Sequence, residues 1–558
     1  MFVTVTVVII VLLHYFVIHP LFFSPLSKLP GPLHLKLSKW FILNKARTES
    51  RNVYLQKLHE KYGDVVQIGP NEVAFNSLEY MKQIYMGNFP KEFKSNGIGF
   101  YAQFGNFGSK NLFSTGDSQV HLEKKRNIAK VYSKTNVLQS GDYIKQKVDQ
   151  LWAPLDARLQ HPVNVYPMFL ALAMDVVSGF EYGGQFSTNF VSKINAGAAR
   201  LSSTEKAPED ISQESSLERN PTELFEGFQE SSSMWFYTTL APQLWNIVAR
   251  IYGIGKKSSR AQQWIYSRFQ QALKSKQLYQ GPAPVSNVLQ TMFQEMQTKP
   301  KHNLNEIASE IADHIAAGHE TTGITLTYIC WELSRPCNQH WQQKLHEECS
   351  GITDLQELDQ LPILHSVVQE ACRIHSAIPG SEPRYVPEEA KFAAVLHDST
   401  HTRVPIPPGT IVSCQPWSLH QLENTFGSHT AQFRPERWLQ DVENNESAQE
   451  YERRLKRMNN SMFTFGQGNR MCLGMHLALI EMKYCIAQMY SRYETKISPE
   501  WCRNVYKGDD ANVLMGTAPN RSTTDLDMMR MADTYTTRPI RDECWLEFKS
   551  RDTINASG

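Results

Sequence analysis

One cysteine in the last quarter of the chain stands in a setting suited to metal ligation. Cys472 follows the run Phe465-Gly466-Gln467-Gly468-Asn469-Arg470-Met471 and precedes Leu473-Gly474. A metal-bound cysteine must ionise, and nearby backbone amides or cations stabilise its thiolate. Glycines let the backbone approach the sulfur and its metal closely. Because His476 to Met489 has a helical pattern, Cys472 is predicted to lie just before a helix amino terminus, whose dipole stabilises negative charge.

A second group of residues combines small side chains with a hydroxyl and a carboxylate. Ala317-Gly318-His319-Glu320-Thr321-Thr322 falls within a predicted helix from about Asn305 to Ser334. Ala317 and Thr321 are four residues apart and therefore share a face, with Glu320 one step around. Ala317 leaves room for a bound ligand, and the pair Thr321 and Glu320 can carry protons to it.

The cysteine loop has the form F-x-x-G-x-R-x-C-x-G and resembles the haem-binding loop of the cytochrome P450 superfamily. Lys61 to Asp64 and Ile68 to Asn71 are similar to segments of fungal biosynthetic members, and the resemblance extends from about Pro30 to Met489. It implies an axial thiolate from Cys472 to a haem iron, with Gly466 letting the backbone approach the sulfur. In the same loop, the resemblance implies that Arg470 pairs with a haem propionate and that Phe465 shields the sulfur. In the second group of residues, it implies a distal-pocket position for Ala317 and proton delivery by Thr321 and Glu320.

Three further segments match family elements in the expected order. Glu370-Ala371-Cys372-Arg373 resembles the ExxR helix, and Phe433 to Trp438 resembles the segment whose arginine, here Arg437, completes a structural triad. The resemblance assigns a haem propionate to Arg384. His121-Leu122-Glu123-Lys124-Lys125-Arg126 occupies the place of the propionate-binding helix, and His121, Lys125 and Arg126 are all candidates there. A solvated basic face is the alternative for this helix.

The amino terminus predicts a membrane anchor. Phe2 to Phe23 carries no Asp, Glu, Lys or Arg, and about 20 apolar residues span a bilayer. A cleaved signal peptide is the alternative, although the stretch lacks a basic leading region and a small-x-small cleavage site. Residues 1–24 are therefore interpreted as a single-pass anchor, 25–33 as a Pro/Gly hinge and 34–558 as the catalytic domain. The lysines that follow predict that the catalytic domain is cytosolic. The endoplasmic reticulum is the expected membrane.

Composition and periodicity restrict the fold class. The 57 Lys and Arg residues balance 56 Asp and Glu residues, which disfavours nucleic-acid binding. Helical periodicity dominates, as in Leu345 to Leu364, while strand-like runs such as Val65 to Ile68 and Val73 to Phe75 are few. We predict a mainly α protein with small β-sheets, and the resemblance implies the α-rich triangular prism of cytochromes P450.

The resemblance implies insertion of one oxygen atom from O2 into a small lipophilic substrate, with electrons from NADPH. No dinucleotide fingerprint or flavin-sized domain remains in the sequence, so a separate NADPH-cytochrome P450 reductase is the expected partner, with cytochrome b5 as an optional second donor. Production of a secondary metabolite is the expected context. Two alternatives stay open: a haem-thiolate isomerase or peroxide-using enzyme, and a non-catalytic haem-binding protein.

Overall fold

A computed structural model of the chain describes residues 2–93, 100–159, 161–194, 216–233, 242–275, 287–298, 303–396, 401–518 and 524–552. Helices dominate these ranges, as predicted. Helices up to residue 298 span Phe2–Leu13, His14–Phe23, Leu33–Leu37, Trp40–Arg47, Arg51–Tyr62, Leu78–Met81, Lys82–Met86, Phe100–Phe104, Ser118–Ile128, Lys134–Gln139, Gly141–Asp149, Trp152–Asp156, Val165–Tyr182, Gly184–Phe186, Ser216–Arg219, Pro221–Ser233, Pro242–Tyr252, Lys256–Leu273 and Val288–Thr298. Later helices span Leu304–Ser334, Pro336–Asn338, Gln339–Cys349, Leu355–Gln360, Pro362–Ile374, Pro416–Leu419, Glu423–Phe426, Pro435–Trp438, Ala448–Asn459, Gly468–Arg470, Met475–Arg492 and Asp525–Met528.

The strands of the described residues are short and form small sheets. They are β1 Val65–Gly69, β2 Glu72–Phe75, β3 Val163–Asn164, β4 Arg384–Tyr385, β5 Ala393–Val395, β6 Arg403–Pro405, β7 Ile411–Ser413, β8 Tyr493–Ile497 and β9 Trp545–Ser550. The sheet orders are β1-β2-β7-β4, β3-β9-β8 and β5-β6. The two strand-like runs predicted at Val65 and Val73 are confirmed as the antiparallel pair β1 and β2.

The chain begins with a helix long and apolar enough to cross a membrane, over Val3–Phe23, and this stretch buries none of its residues against the rest of the protein. The following Pro/Gly segment is fixed to the body. Leu26 and Leu29 are buried, and the Gln67 backbone N–H donates to the Pro30 carbonyl at 2.8 Å. The Lys36 ammonium donates to the Leu29 carbonyl at 2.7 Å. Proline has no backbone donor, but its carbonyl still accepts, so this segment can dock without a helix or strand.

Leu304–Ser334, hereafter the central helix, confirms the helix predicted around Ala317. The Asn303 side chain caps its amino terminus by accepting from the Glu306 N–H at 2.9 Å. It ends before Arg335-Pro336, because a residue before proline avoids the helical conformation. Its middle packs along Val165–Tyr182, a helix with almost every residue buried.

Met475–Arg492, hereafter the cysteine-loop helix, confirms the helix predicted after Cys472. The helical periodicity noted from Leu345 to Leu364 is also confirmed, but the stretch is divided among three helices. The chain there forms Gln339–Cys349, Leu355–Gln360 and Pro362–Ile374. Gly351, with φ 80°, follows the first helix, and the Asp354 side chain caps the second by accepting from two backbone N–H groups. Helical spacing of apolar residues continues across these breaks because all three helices bury one face in the same core.

Candidate active site

The cysteine loop is a tight turn held by its own backbone. The Cys472 N–H donates to the Phe465 carbonyl at 2.7 Å. Gly466 and Gly468 have φ values of 69° and 68°, in the left-handed region that favours glycine. A Cβ atom at Gly468 would also lie 2.3 Å from the Tyr85 carbonyl oxygen, so only glycine fits there.

The Cys472 side chain is accessible to solvent, in contrast to most other cysteines of the described residues. Desolvation by the surrounding chain raises the pKa of its thiol to about 11, while the backbone N–H groups of Gly474 and Met475 and the Lys125 ammonium lower it. These two amides open the cysteine-loop helix, so the sulfur lies at its positive end. The local chemistry therefore suits a thiolate once a further positive charge is bound to it.

Cations converge beside the loop. Arg384, with a side chain only 2% exposed, donates to the Tyr101 hydroxyl and lies 3.3 Å from a Glu382 carboxylate oxygen. Arg470 donates to the Thr115 carbonyl at 2.6 Å and the Gly116 carbonyl at 3.0 Å. Burial, together with the positive charge of Arg384, lowers the pKa of Arg470 to about 10. The structure thus brings together two of the predicted cofactor-binding cations.

The three candidate cations of Ser118–Ile128 differ in position. His121 is buried, and burial together with the nearby charges of Arg470 lowers its pKa to about 3. The Lys125 ammonium donates to the Asn469 carbonyl of the cysteine loop at 2.7 Å. Arg126 is exposed, which matches the solvated face that was the alternative for this helix. His121 and Lys125 therefore face the loop, and Arg126 does not.

Lys91 belongs to the same cluster, although nothing in its sequence setting indicates it. Its side chain is buried, and its ammonium lies 3.9 Å from the ring centroids of Tyr101 and Phe113. Burial, with the charges of Arg384 and Arg470, holds the pKa of Lys91 well below its ordinary value. Such a concentration of positive charge calls for bound anionic groups.

The central helix presents its small residues as predicted. Ala317 is exposed and Thr321 is half-buried, and the Thr321 hydroxyl donates to the Ala317 carbonyl at 2.8 Å. Glu320 is buried, and burial raises its pKa to about 7, opposed by a hydrogen bond from Thr536 and the charge of Arg538. A carboxyl group with this pKa can both give and take a proton near neutral pH.

Tyr132 connects the central helix to the cysteine loop. Its hydroxyl donates to Glu181 and lies 3.0 Å from the Nδ1 atom of His314 on the central helix. The ring of Tyr132 also lies against the loop, 4.0 Å from where a Gly474 Cβ atom would be. The face of the central helix near His314 and the loop that carries Cys472 are therefore positioned by one shared side chain.

The three residues assigned to a structural triad lie together. Arg373 donates to both carboxylate oxygens of Glu370, at 2.8 and 2.7 Å, and the Arg437 Nε atom donates to Glu370 at 2.9 Å. The Trp438 indole N–H adds a further bond to Glu370 at 2.9 Å. These positive partners outweigh burial and hold the pKa of Glu370 at about 2.

The carboxyl-terminal tail contributes residues that the sequence did not indicate. Tyr535 lies 5.8 Å from Phe100 and 5.3 Å from Phe104 between ring centroids. Thr536 reaches Glu320, as described above. The tail then enters the sheet as β9, between β3 and β8. It thereby lines the same region as the central helix.

Comparison with known proteins places the chain in a family. The model of the cytochrome P450 family matches residues 30–521, and the chain belongs to that family. Among its relatives, the chain is 26% identical to pisatin demethylase of Fusarium vanettenii over 86% of both chains. It is 27% identical to the cytochrome P450 monooxygenase tazI of Aspergillus terreus, over 85% of this chain and 88% of that one. The corresponding values for the monooxygenase aflV of Aspergillus parasiticus are 26%, 84% and 85%.

Membership establishes the general chemistry. The chain is an oxidoreductase of the cytochrome P450 monooxygenase type, a haem protein in which a cysteine thiolate binds the iron. Such enzymes use dioxygen and a redox partner. The predicted family, cofactor and enzyme class are confirmed.

Proposed function

We propose that this protein is a membrane-anchored monooxygenase in which Cys472 binds the haem iron and the substrate is a small lipophilic molecule. The observation that carries the proposal is the setting of the Cys472 sulfur. It is accessible, it heads the cysteine-loop helix, and the amides of Gly474 and Met475 are directed at it. The buried Cys330, Cys372 and Cys485 lie inside helices, where burial raises the pKa of the thiol and a bound metal would have no access.

The charges around the loop fit a haem. A haem carries two propionate groups, and Arg384, Arg470 and Lys91 form a positive cluster partly balanced by Glu382, with the imidazole of His121, whose pKa is lowered to about 3, as a neutral N–H donor beside them. In this proposal Arg384, Arg470 and His121 bind the propionates, while Lys125 holds the loop through the Asn469 carbonyl. Phe465 and Gly466 belong to the turn that fixes the height of the sulfur, and Phe465 limits the access of water to it.

The central helix supplies the proton chemistry. When bound, the haem supplies dioxygen activation and oxygen transfer. Ala317 leaves room beside it, because a larger side chain at this position would occupy the space next to Thr321. Thr321 uses its hydroxyl proton on the Ala317 carbonyl and keeps its oxygen as an acceptor for water. Glu320, with a pKa of about 7, is suited to replenish protons at that position.

Electrons must reach the site from outside the chain. We propose an NADPH-cytochrome P450 reductase as the donor, with cytochrome b5 as an optional second one. Helix Ala448–Asn459 ends shortly before the cysteine loop and exposes Arg453, Lys456 and Arg457. An exposed basic helix near the cysteine loop favours docking of an acidic electron carrier.

The apolar amino-terminal helix and the relatives support the membrane anchor and the metabolic role in this proposal. The apolar helix Val3–Phe23 supports a single-pass anchor over residues 1–24, with 25–33 as the connection and 34–558 as a cytosolic catalytic domain on the endoplasmic reticulum. The relatives named above include a pisatin demethylase and fungal monooxygenases. Their similarity supports a role in the biosynthesis of a secondary metabolite.

The test is the difference spectrum of the reduced full-length protein with carbon monoxide. We expect the spectrum of a thiolate-bound haem in the wild type and its loss in Cys472→Ser, because a neutral hydroxyl cannot donate electron density as a thiolate does. Cys337→Ser is the matched control, since Cys337 is half-buried and therefore partly accessible but lies outside the loop. A thiolate spectrum that survives in Cys472→Ser contradicts the ligand assignment.

Turnover separates the monooxygenase from its alternatives. With purified reductase, NADPH and O2 should be consumed together in the presence of substrate. An isomerase forms product without NADPH, a peroxide-using enzyme forms it with hydrogen peroxide alone, and a haem-binding protein without catalytic function forms none.

A further inference from the structure

Tyr132 lies between the cysteine loop and the central helix, and it is only 5% exposed. On one side its ring packs against the loop, with the Cε1 atom 4.0 Å from the position that a Gly474 Cβ atom would occupy. On the other side its hydroxyl lies 3.0 Å from the Nδ1 atom of His314 on the central helix. In the proposed function the loop binds the haem iron beside this helix, so Tyr132 connects the two elements that enclose the haem.

The Tyr132 hydroxyl donates to a base. Its acceptor is the carboxylate of Glu181, which is fully buried. Burial, together with the negative charge of Glu181, holds the pKa of Tyr132 well above its ordinary value, so the phenol keeps its proton at rest. A phenol loses an electron readily only when its proton leaves at the same time, because the oxidised phenol is a strong acid. A carboxylate already hydrogen-bonded to the hydroxyl can take that proton without movement of either residue.

A second acid keeps the charges balanced when Glu181 takes up a proton. One Glu181 oxygen lies 3.1 Å from the Nδ1 atom of His314, and the Nε2 atom of His314 lies 3.4 Å from a Glu310 oxygen. Burial disfavours the charged form of His314, but the two carboxylates hold its pKa well above the ordinary value. A protonated Glu181 would therefore leave the His314 cation paired with Glu310, and no uncompensated charge would be buried.

Tyr85 lies against the same loop but donates to a carbonyl instead of a carboxylate. A Cβ atom at Gly468 would lie 2.3 Å from the Tyr85 backbone oxygen, which shows how closely the two segments approach. The Tyr85 hydroxyl donates to the Glu382 carbonyl at 2.6 Å and accepts from the Cys414 N–H at 2.9 Å. A backbone carbonyl is too weak a base to keep a proton. Loss of an electron is therefore favoured at Tyr132 over Tyr85.

We propose that Tyr132 is redox-active and reduces the oxidised haem when no substrate is oxidised, with Glu181 as the proton acceptor. The inference rests on the proposed function, which supplies the haem and an oxidant derived from dioxygen. The Tyr132 O–H bond breaks: one electron goes to the haem, the proton forms an O–H bond on Glu181, and a neutral phenoxyl radical remains. One electron from the redox partner and the proton from Glu181 then restore Tyr132. The oxidising equivalent is thereby removed before it damages the haem or its thiolate.

Freeze-quench electron paramagnetic resonance of the haem-loaded, full-length enzyme tests this directly. The enzyme is mixed with peracetic acid, which oxidises the haem without NADPH, in the absence of substrate. We expect a tyrosyl radical in the wild type, with a signal that narrows when the protein contains ring-deuterated tyrosine. In Tyr132→Phe this signal should be lost. In Glu181→Gln the phenol stays but its acceptor cannot take a proton, so most of the signal should be lost as well.

Tyr85→Phe is the matched control, because it removes a buried hydroxyl at the same loop, and it should keep the wild-type radical. During incubation with NADPH and reductase but no substrate, haem should bleach faster in Tyr132→Phe than in the wild type or Tyr85→Phe. The absence of a tyrosyl radical in the wild type, or an undiminished radical in Tyr132→Phe, overturns the proposal. The carbon monoxide spectrum of the same preparations reports haem content and thiolate ligation, so a failure of the proposed function is distinguished from a failure at Tyr132.

Discussion

At the scale of single residues, a substitution of Thr321 should impair proton delivery without impairing folding or haem binding. Its hydroxyl donates within the helix, to the Ala317 carbonyl, so the alanine variant loses one local bond and little packing. We expect Thr321→Ala to keep its haem and carbon monoxide spectrum while product per NADPH consumed falls on the order of a hundredfold. Hydrogen peroxide release should rise correspondingly. The measurement is the ratio of product and peroxide to NADPH oxidised.

Thr327→Ala is the matched control for this variant. The Thr327 hydroxyl makes the same kind of bond, to the Gly323 carbonyl at 2.8 Å, but it is fully buried and lies outside the helix face that Ala317 and Thr321 share. It should keep normal coupling. If Thr321→Ala also keeps wild-type coupling, the hydroxyl is structural here and the peroxide-using or isomerase alternative gains support.

The hydrogen-bond donors near the loop give a second prediction, on haem retention. His121→Ala removes a buried donor beside the cluster, and Lys125→Ala removes the bond to the Asn469 carbonyl. Both should accelerate haem transfer to apomyoglobin by about tenfold, the scale of one charge-assisted hydrogen bond. Arg126→Ala is the comparison, and its exposed side chain should leave the transfer rate unchanged. An equal effect of Arg126→Ala would refute this division of roles.

The residues that could be predicted from sequence are those whose roles depend on neighbours in the chain. Cys472, Gly466 and Arg470 share one turn, and Ala317 and Thr321 share one helix face, so spacing alone groups them. Lys91 and Thr536 join the site from distant segments. Their contribution depends on tertiary contacts that no local pattern encodes.

At the scale of elements, the Glu370 cluster joins helix Pro362–Ile374 to Pro435–Trp438, and its charge gives a prediction on stability. Glu370→Gln leaves Arg373 and Arg437 buried with their charge uncompensated, which should lower the free energy of unfolding by about 3 kcal/mol or more. The pKa of Glu370 is held at about 2 in the folded protein, below its ordinary value of 4.5. The stabilisation is therefore complete above the unfolded pKa and disappears as the pH falls from there towards 2.

Urea unfolding at neutral and acidic pH measures both effects. Glu436→Gln, next to Arg437 in the chain but outside the buried cluster, breaks an exposed pair with Arg434 and should change stability by less than about 1 kcal/mol. A Glu370→Gln protein as stable as this control at neutral pH contradicts the role of the cluster. Both variants should also retain their order of stability after haem is bound, because neither side chain belongs to the cation cluster.

The limits of a helix could be predicted from sequence where capping residues or proline mark its ends, whereas apolar periodicity alone did not give them. The central helix has clear ends at Asn303 and Arg335-Pro336, and its predicted and observed limits agree closely. The Leu345 to Leu364 stretch has equally good periodicity, but Gly351 and Pro362 divide it. The spacing of apolar residues indicates which face of a helix is buried, whereas capping residues, glycine and proline determine where the helix ends.

At the scale of the whole molecule, the tail completes the body. The family model ends at residue 521, yet β9 lies between β3 and β8, and the Asp533 carboxylate accepts from the Asn52 and Val53 N–H groups at the start of Arg51–Tyr62. The tail is therefore attached to the amino-terminal half of the protein, and it also packs Tyr535 against Phe100 and Phe104. Its polar sequence predicted neither contact, because both depend on partners several hundred residues away.

The apolar helix and the segment that connects it to the catalytic domain should have separable roles. Removing residues 2–23 takes away a stretch with no buried residue, so the protein should bind haem normally and no longer resist extraction from membranes by alkaline carbonate. Removing residues 2–31 also deletes the buried Leu26 and Leu29 and the Pro30 carbonyl that accepts from Gln67. Burial of two leucines is worth about 3 kcal/mol or more, so this longer deletion should unfold at lower urea concentration. A shorter deletion that stays in the carbonate-washed membrane, or a mature wild-type protein that begins near residue 24, rules out the anchor.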